Sequence, residues 1–343
     1  MLTMSAEALS EVTTRIFRAA GAPDDVASLV AYSLVDANLA GHDSHGVIRI
    51  PTYIEQIAEG DLVPSARPRI EGDRAGLITV DGAWAFGQYA AHVCMDLASS
   101  RAKEQHVAIV TLVRANHIGR LGEWAEEAAR AGVVGMVATS WGGGPYAATP
   151  YGGAGKVLST NPIAFGIPLG EGPPFVLDYA TTAVAEGKLR VARAKQAKVP
   201  DGWIVDKDGR PTNEPEDFYA GGMLLPFGGH KGYALAMVVE LLSVALTGAD
   251  AARDDKGRRN GAVFLAIDPS AVRPLDEFRR AATEINARVT GVPPAPGFDS
   301  VLIPGEVEAR SREVRRTEGI PVAESTWEAI QAAGQSVGAH ISV

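Results

Sequence analysis

Short runs of β-branched residues alternate with helical segments in the middle of this chain. The strand candidates cover residues 77–80, 107–112 and 133–137. The helix candidates between them cover residues 87–104 and 121–130. Strands that alternate with helices are typical of an α/β fold, in which helices cover a sheet. Further strand candidates at residues 163–168 and 175–177, in a stretch rich in glycine and proline, favour a mixed sheet with long loops.

The composition describes a globular protein and excludes several classes of partner. Of the 343 residues, 46% are hydrophobic. The most apolar run, residues 233–246, contains Glu240 and is shorter than the roughly 20 residues that cross a bilayer, so we expect a buried helix and no membrane partner. A net charge of -9 without an extended Lys/Arg tract argues against nucleic acid. The single cysteine, Cys94, excludes an intramolecular disulfide and a thiolate zinc cage, and we expect a cytoplasmic protein.

A polar segment, Gly41-His42-Asp43-Ser44-His45-Gly46, separates two helical segments near the N-terminus. The first of these helices is expected to end at Gly41. Pro51 is tolerated only in the first turn of the second helix, which should therefore begin near Val47 or Ile48. This places Ser44 and His45 directly before the second helix.

The residues that follow this segment suit the chemistry of an acid substrate. His45, Arg49 and Tyr53 are spaced four apart and would share one helix face. His45 can carry a proton near neutral pH, Ser44 can orient it, and the planar guanidinium of Arg49 can hold a carboxylate. A helix cap at Ser44 and a surface charge at Arg49 are the structural alternatives.

No dinucleotide-binding fingerprint is present in the sequence. The glycine clusters at residues 142–144 and 152–156 match neither G-x-G-x-x-G nor a P-loop, which disfavours a Rossmann fold. Gly228-Gly229-His230-Lys231-Gly232 precedes the buried helix instead, and its free backbone N–H groups and lysine would attract a phosphate. A flexible glycine turn with a solvated lysine is the alternative.

His117 follows a strong strand candidate, where α/β proteins tend to bind ligands. It is a second candidate for proton transfer or for contact with a nicotinamide ring. A metal site made of His42, Asp43, His45 and His117 lacks a recognised ligand spacing, so we expect no metal.

Six stretches together resemble a known family. They are Ala37 to Gly46, His117-Ile118-Gly119-Arg120, Thr160-Asn161-Pro162, Leu177-Asp178-Tyr179-Ala180-Thr181, His230-Lys231-Gly232-Tyr233 and Pro304-Gly305-Glu306. The chain resembles the malate/L-lactate dehydrogenase family that is unrelated to the Rossmann-type enzymes and includes ureidoglycolate, sulfolactate and 2-hydroxycarboxylate dehydrogenases. It is most similar in character to the broad-specificity 2-hydroxycarboxylate dehydrogenases.

The resemblance implies a fold and an assembly. It implies an α/β protein with a non-Rossmann NAD(P)-binding fold. Residues 1–72 and 226–343 would form a helical domain built from both ends of the chain, and residues 73–225 a mixed-sheet α/β domain. Two such chains would form a homodimer.

The resemblance also implies site residues. Ser44 and His45 would be relay and proton donor, with His117 as the alternative donor, and Arg49 and Thr160 would contact the substrate. Tyr53, on the same predicted helix face as Arg49, is a further candidate substrate contact. The cofactor, NAD or NADP, would contact His117, Ile118, Gly119, Arg120, Leu121, Ser140, Asp178, Tyr179, Ala180, His230, Lys231, Pro304, Gly305 and Glu306.

These residues predict an oxidoreductase that interconverts 2-oxo and 2-hydroxy acids, either malate- or lactate-like or aryl 2-hydroxycarboxylates. The alternative within the family is a cyclic imino acid reductase. The resemblance suggests that imine-reducing members place an aspartate after the Asp-x-Ala-Thr segment, whereas this chain has Ala185-Glu186-Gly187-Lys188 there. The charge of Lys188, which we expect near the site, would favour an anionic oxo acid over a protonated imine, although Glu186 would partly offset it. From other classes, a metal-dependent hydrolase and a non-catalytic binding protein are the remaining alternatives.

Overall fold

The computed structural model describes residues 2–141, 144, 146–251 and 260–341. Its helices are α1 (Ala6–Ala19), α2 (Asp24–Leu39), α3 (Ile50–Ala58), α4 (Gly87–Gln105), α5 (Leu121–Arg130), α6 (Glu186–Ala194), α7 (Pro215–Tyr219), α8 (His230–Glu240), α9 (Leu275–Thr290), α10 (Glu306–Glu318) and α11 (Glu324–Ser336). Its strands are β1 (Leu2–Met4), β2 (Arg69–Arg74), β3 (Leu77–Asp81), β4 (Val107–Val113), β5 (Val134–Trp141), β6 (Ile163–Ile167), β7 (Phe175–Tyr179), β8 (Ile204–Val205), β9 (Pro211–Thr212), β10 (Met223–Leu224), β11 (Asn260–Ile267) and β12 (Ile320–Val322).

The central sheet is mixed, as the sequence predicts. Its strand order is β2-β3-β4-β11-β5-β6-β7. The pair β3 and β4 is parallel, and the other neighbouring pairs are antiparallel. This order is unlike the parallel, doubly wound sheet of a Rossmann fold. The predicted α/β fold class is confirmed.

One strand departs from the expected division into domains. β11 belongs to the stretch 226–343 that was expected to be helical, yet it pairs with β4 on one side and β5 on the other. Val263 and Phe264 in its middle are buried, because a strand at the centre of a covered sheet is apolar on both faces. The division into two domains otherwise stays a prediction.

The structure has one apolar core in its helical part and another around its central sheet. Side chains from both ends of the chain, including Phe17, Leu34 and Trp327, pack in one helical core. Residues of the sheet and of α4 and α5, including Met95 and Trp124, form the other. Among the described residues, no helix is both long and apolar enough to span a membrane.

The predicted helices agree with the structure in part. Ser5 caps α1 by accepting a hydrogen bond from the backbone N–H of Ala8 at 3.1 Å, as expected. The helix predicted at residues 233–246 begins earlier, at His230, and continues beyond Glu240 as a π-helical turn, Leu241–Leu246. The prediction that it is buried is wrong, because one face leaves apolar side chains such as Val238 and Leu241 exposed in the single chain. Of the loop predicted at residues 253–260, residues 253–259 lie outside the described residues.

Candidate active site

The predicted start of the second helix at residue 47 or 48 is wrong. Two 3-10 turns, Asp43–His45 and Val47–Arg49, precede α3. The cause is the buried side chain of Asn38, whose Oδ1 accepts the backbone N–H of Val47 at 2.8 Å and whose Nδ2 donates to Asp43 at 2.7 Å. A Cβ on Gly46 would lie 2.1 Å from Asn38 Oδ1, so only glycine fits between the turns. Asn38 therefore shapes the segment that carries Ser44 and His45.

Ser44, His45 and Arg49 form a connected group within these turns. Ser44 Oγ lies 3.1 Å from His45 Nδ1, at hydrogen-bond distance. Arg49 Nε donates to the backbone carbonyl of Ser44 at 2.7 Å. Arg49 forms no ion pair with any residue that the structure describes, and its two terminal nitrogens stay available for an anion. The surface-charge alternative for Arg49 does not account for this anchored geometry.

His117 lies against this group from the sheet side. The rings of His45 and His117 stack with centroids 5.4 Å apart and an interplanar angle of 25°. Tyr53 is 2% exposed, and its hydroxyl lies 2.8 Å from His117 Nδ1. Gln88 Nε2 donates to the same hydroxyl at 2.7 Å. Tyr53, expected among the substrate contacts, is therefore packed beneath His117 and holds its ring.

A cavity of about 390 Å³ opens beside the two histidines. The predicted site residues that line it are His45, Arg49, His117, Ile118, Gly119, Leu121, Ser140 and Thr160. They come from the polar segment, from the turn after β4 and from the ends of β5 and the loop before β6. Four separate stretches of sequence thus meet at one open cavity.

The electrostatics of this cavity favour neutral histidines. Burial, together with the positive charge of Arg49, lowers the pKa of His45 to about 3. The same two causes lower the pKa of His117 well below its ordinary value. Burial raises the pKa of Tyr53 to about 12, so its hydroxyl keeps its proton. Because Tyr53 accepts from Gln88, that proton is directed to His117 Nδ1, which leaves His117 Nε2 as a donor.

The carboxylate of Glu240, on α8, accepts hydrogen bonds from β5 and from the loop before β6. Ser140 Oγ donates to Glu240 Oε2 at 2.6 Å, and Asn161 Nδ2 donates to the same oxygen at 2.9 Å. Asn161 has a φ of 39° between Thr160 and Pro162, a strained conformation that this bond helps to hold. Glu240 is recognisable in the sequence as a lone charge in the most apolar run, whereas its hydrogen-bond partners are not. Glu240 positions Ser140 and the Thr160 loop.

The glycine turn before α8 has the expected form. Gly228 and Gly229 both have positive φ values, and the helix begins with His230 and Lys231, which are exposed. The ring of Tyr151 lies 5.9 Å from that of His230. From His230 to Glu240 the helix spans roughly 15 Å. Its N-terminus and the cavity therefore lie at opposite ends of one helix.

The other predicted cofactor residues lie away from this cavity. Arg120 is buried, with Nη2 3.2 Å from Asp36, and Asp178 accepts the backbone N–H of Gly122 at 2.7 Å. Gly305 lines the same small crevice as Arg120 and Asp178. Tyr179 packs its ring against Phe227. The carbonyl of Pro304 accepts a hydrogen bond from the backbone N–H of Val176, and Glu306 Oε2 accepts one from the backbone N–H of Ile303. Ala180 is half-buried at the end of β7.

Residues 185–188, which are expected to distinguish this chain from imine-reducing members, lie at the start of α6. A Cβ on Gly187 would lie 3.7 Å from Ser44 Cβ, whereas Lys188 is exposed. Burial opposes ionisation of Glu186, but hydrogen bonds from Arg190 and Tyr219 hold its pKa below the ordinary value. Gly187, which comes close to Ser44, thus offers no side chain to it, and the expected effect of the exposed Lys188 on the site stays a prediction.

The histidines and carboxylates of the site do not form a metal-binding cluster among the described residues. Within the described ranges, no three His, Cys, Asp or Glu side chains are arranged to hold a metal ion. His42 is engaged elsewhere, with Nε2 3.2 Å from Glu308.

Comparison with known proteins gives consistent matches over nearly the whole chain. A family model described as malate/L-lactate dehydrogenase matches residues 4–331. Hydroxycarboxylate dehydrogenase B of Escherichia coli (strain K12) is 37% identical over 339 residues, 97% of this chain and 94% of the relative. The structure of sulfolactate dehydrogenase from Methanocaldococcus jannaschii has a TM-score of 0.91 at 33% identity, covering 99% of this chain and 98% of that one. The structure of delta1-piperideine-2-carboxylate reductase from Pseudomonas syringae has a TM-score of 0.84 at 32% identity, covering 97% and 100%.

Proposed function

We propose, since the chain belongs to the malate/L-lactate dehydrogenase family, that it interconverts a 2-oxo acid and the matching 2-hydroxy acid with NAD or NADP. The oxidoreductase class follows from the family. The observation that carries the choice of substrate is Arg49, anchored through Nε to Ser44 and unpaired among the described residues beside His45. Such a guanidinium is suited to the carboxylate of a small acid.

The residues present fit a nicotinamide dinucleotide. The cavity of about 390 Å³ has room for a ring and a small acid, and Ser140, Thr160 and the turn after His117 would hold them. Lys231 and the free N–H groups at the start of α8 suit a phosphate. When bound, the cofactor supplies or accepts the hydride, and the chain supplies binding, orientation and proton transfer.

The roles of the protein's own groups follow from their contacts. Arg49 binds the carboxylate, and His45 gives a proton to the oxygen on C2 in reduction and takes it back in oxidation. Ser44, at 3.1 Å from Nδ1, fixes the ring so that Nε2 is free for the substrate. His117, whose Nδ1 faces Tyr53, can donate from Nε2 as well, and it is the alternative proton donor. We assign His45 first because Arg49 lies beside it.

A panel of 2-oxo acids with NADH and with NADPH tests the proposal. The absorbance of the reduced cofactor should fall with at least one 2-oxo acid, whether that acid corresponds to malate, to lactate or to an aryl 2-hydroxycarboxylate. The KM values for NADH and NADPH should show which cofactor the protein prefers. Activity that appears only as hydrolysis and is lost with a chelator would instead support the metal-dependent hydrolase. Ligand binding without any turnover would support a binding protein.

A cyclic imino acid reductase is the second candidate, because one relative of similar fold bears that name. The position beside Ser44 is Gly187, which offers no carboxylate to complete a relay. Arg49 also disfavours a protonated imine through like-charge repulsion. We expect 2-oxo acids to exceed cyclic imino acids by at least about tenfold in kcat/KM, which is ~1.4 kcal/mol. Gly187→Asp should lower the ratio of kcat/KM for 2-oxo acids to kcat/KM for cyclic imino acids. If the wild type turns over the imino acid better than the oxo acid, the protein is instead an imino acid reductase.

The expected homodimer and cytoplasmic location are part of the proposal. The buried free thiol of Cys94 is consistent with a reducing compartment. Sedimentation of the purified chain tests the dimer.

A further inference from the structure

α10 has no buried residue, and hydrogen-bonding side chains attach it to α2 and to the polar segment. Glu308, Arg312 and Arg315 are spaced four and three apart, so they share one face of this helix. Glu308 Oε1 lies 3.2 Å from His42 Nε2, and Arg312 Nη2 lies 2.7 Å from Asp36 Oδ2. Polar contacts along one face therefore hold α10 in place.

Arg315 binds both sides of the junction between α2 and the first 3-10 turn. Its Nη1 donates to the backbone carbonyl of Asn38, in the last turn of α2, and to Asp43 Oδ1, which lies 2.6 Å away. Its Nη2 lies 3.2 Å from Asp43 Oδ2. A guanidinium suits this place, because the carbonyl end of a helix carries partial negative charge and a carboxylate accepts two N–H bonds. Only 19% of the Arg315 side chain is exposed, which limits its freedom to leave these partners.

Asp43 connects Arg315 to the turns that carry His45. Its Oδ1 also accepts Asn38 Nδ2 at 2.7 Å, which directs Asn38 Oδ1 to the backbone N–H of Val47. Arg315 does not line the cavity, so its effect on the reaction must act through these contacts. We propose that Arg315 is a positioning residue, which holds Asp43 and, through it, keeps His45 in the geometry of the reaction. This inference rests on the proposed function.

Arg315→Met removes the donors and keeps an apolar side chain of similar reach. Displacing a catalytic group by about 1 Å can cost about 100-fold in rate, so kcat/KM for a 2-oxo acid should fall about ten- to a hundredfold. Kd for the reduced cofactor, measured by fluorescence titration without an acid, should change less than about twofold, because Glu308 and Arg312 still hold α10. Arg315→Lys, which keeps the charge and one donor group, should recover part of kcat/KM.

A double variant tests whether Arg315 acts through Asp43. Arg315→Met combined with Asp43→Ala should lose no more kcat/KM than Asp43→Ala alone, because both changes break the same contact. Additive losses would mean that the two side chains act independently, and they would overturn the inference.

Hydrogen exchange tests the same contact without turnover. Backbone amides in a peptide that covers residues 43–49, among them that of Val47, should exchange faster in Arg315→Met than in the wild type. Ser311→Ala is the matched control, because Ser311 Oγ donates to the backbone carbonyl of Leu39 at 2.8 Å, at the same end of α2. This control should leave both the exchange and kcat/KM near their wild-type values.

The inference is also overturned if Arg315→Met leaves kcat/KM or the exchange of residues 43–49 unchanged, if Ser311→Ala lowers kcat/KM equally, or if cofactor Kd rises as much as kcat/KM falls. If Arg315→Met does not fold, Arg315→Lys carries the same comparisons with a smaller loss. A wild type that oxidises no reduced nicotinamide cofactor with any 2-oxo acid refutes the proposed function, whereas the exchange comparison then still decides whether Arg315 holds these turns.

Discussion

Replacing Arg49 with lysine isolates the two-point grip on the substrate from the positive charge. In the wild type, Nε is fixed to the Ser44 carbonyl at 2.7 Å, which orients both terminal nitrogens. Lysine keeps the charge but has one donor group and no such anchor. A charged hydrogen bond contributes about 1.5–3 kcal/mol, so kcat/KM for the 2-oxo acid should fall about ten- to a hundredfold. Most of the loss should appear as a higher KM.

The assay compares steady-state rates of cofactor oxidation across pH for three variants. Arg49→Lys leaves a positive charge near His45 and should barely move its pKa, whereas Arg49→Met removes a charge that lowers this pKa and should shift the pH profile upward. Arg273→Lys, at an exposed pair with Glu277 on α9, is the control and should match the wild type. An unchanged KM in Arg49→Lys would refute the assignment of Arg49 as the carboxylate clamp.

Four further outcomes are expected. His45→Asn should lower kcat by about 10²–10⁴-fold with cofactor Kd little changed, and if His117→Asn alone has this effect, His117 is the proton donor. Lys231→Ala should weaken cofactor binding in a fluorescence titration, and equal affinity would mean that the lysine is only solvated. Tyr53→Phe, which removes the proton that faces His117 Nδ1, should change the pH dependence of turnover more than KM for the acid; an unaltered profile would contradict the role of this hydroxyl in holding the ring. Binding of an anionic oxo acid should raise the pKa of His45, because the anion offsets the charge of Arg49 while burial still lowers this pKa; proton uptake, measured by calorimetry in buffers of different ionisation enthalpy, should therefore increase as the pH falls, and uptake that does not change with pH would contradict the coupling.

Periodicity and apolar runs predicted the elements that pack in the cores, but not exposed ones such as α10, which has no buried residue. The helix predicted at residues 87–104 and the strand at 107–112 correspond to α4 and β4 within one residue. The order of strands was not predictable in this way. The apolar run at residues 263–267 predicted a strand, which corresponds to the later part of β11. Its place between β4 and β5 was not predictable from this run, because more than a hundred residues separate it from either.

The four-residue spacing of His45, Arg49 and Tyr53 predicted a shared helix face, and for Tyr53 this prediction is wrong. Residues four apart share a face only along a continuous α-helix. Here the chain has two 3-10 turns around Gly46, so the phase changes between His45 and α3, and Tyr53 turns into the helical core. The cause is a side chain nine residues away, Asn38, which no local pattern reveals. The polar segment identified the site, but tertiary contacts determine its geometry.

If His45 is the proton donor, as proposed, its depressed pKa opposes its role in reduction, and part of that depression comes from the proposed carboxylate clamp, Arg49. His45 and His117 stack in a buried place next to one positive guanidinium, so both rings are neutral. A bound carboxylate would neutralise Arg49 without adding water, which removes one cause of the depressed pKa and leaves burial as the other. The acid is then both the ligand and the charge that allows His45 to take up a proton. A neutral analogue of the substrate, such as its amide, lacks that charge and would leave His45 unprotonated even if it fitted the cavity.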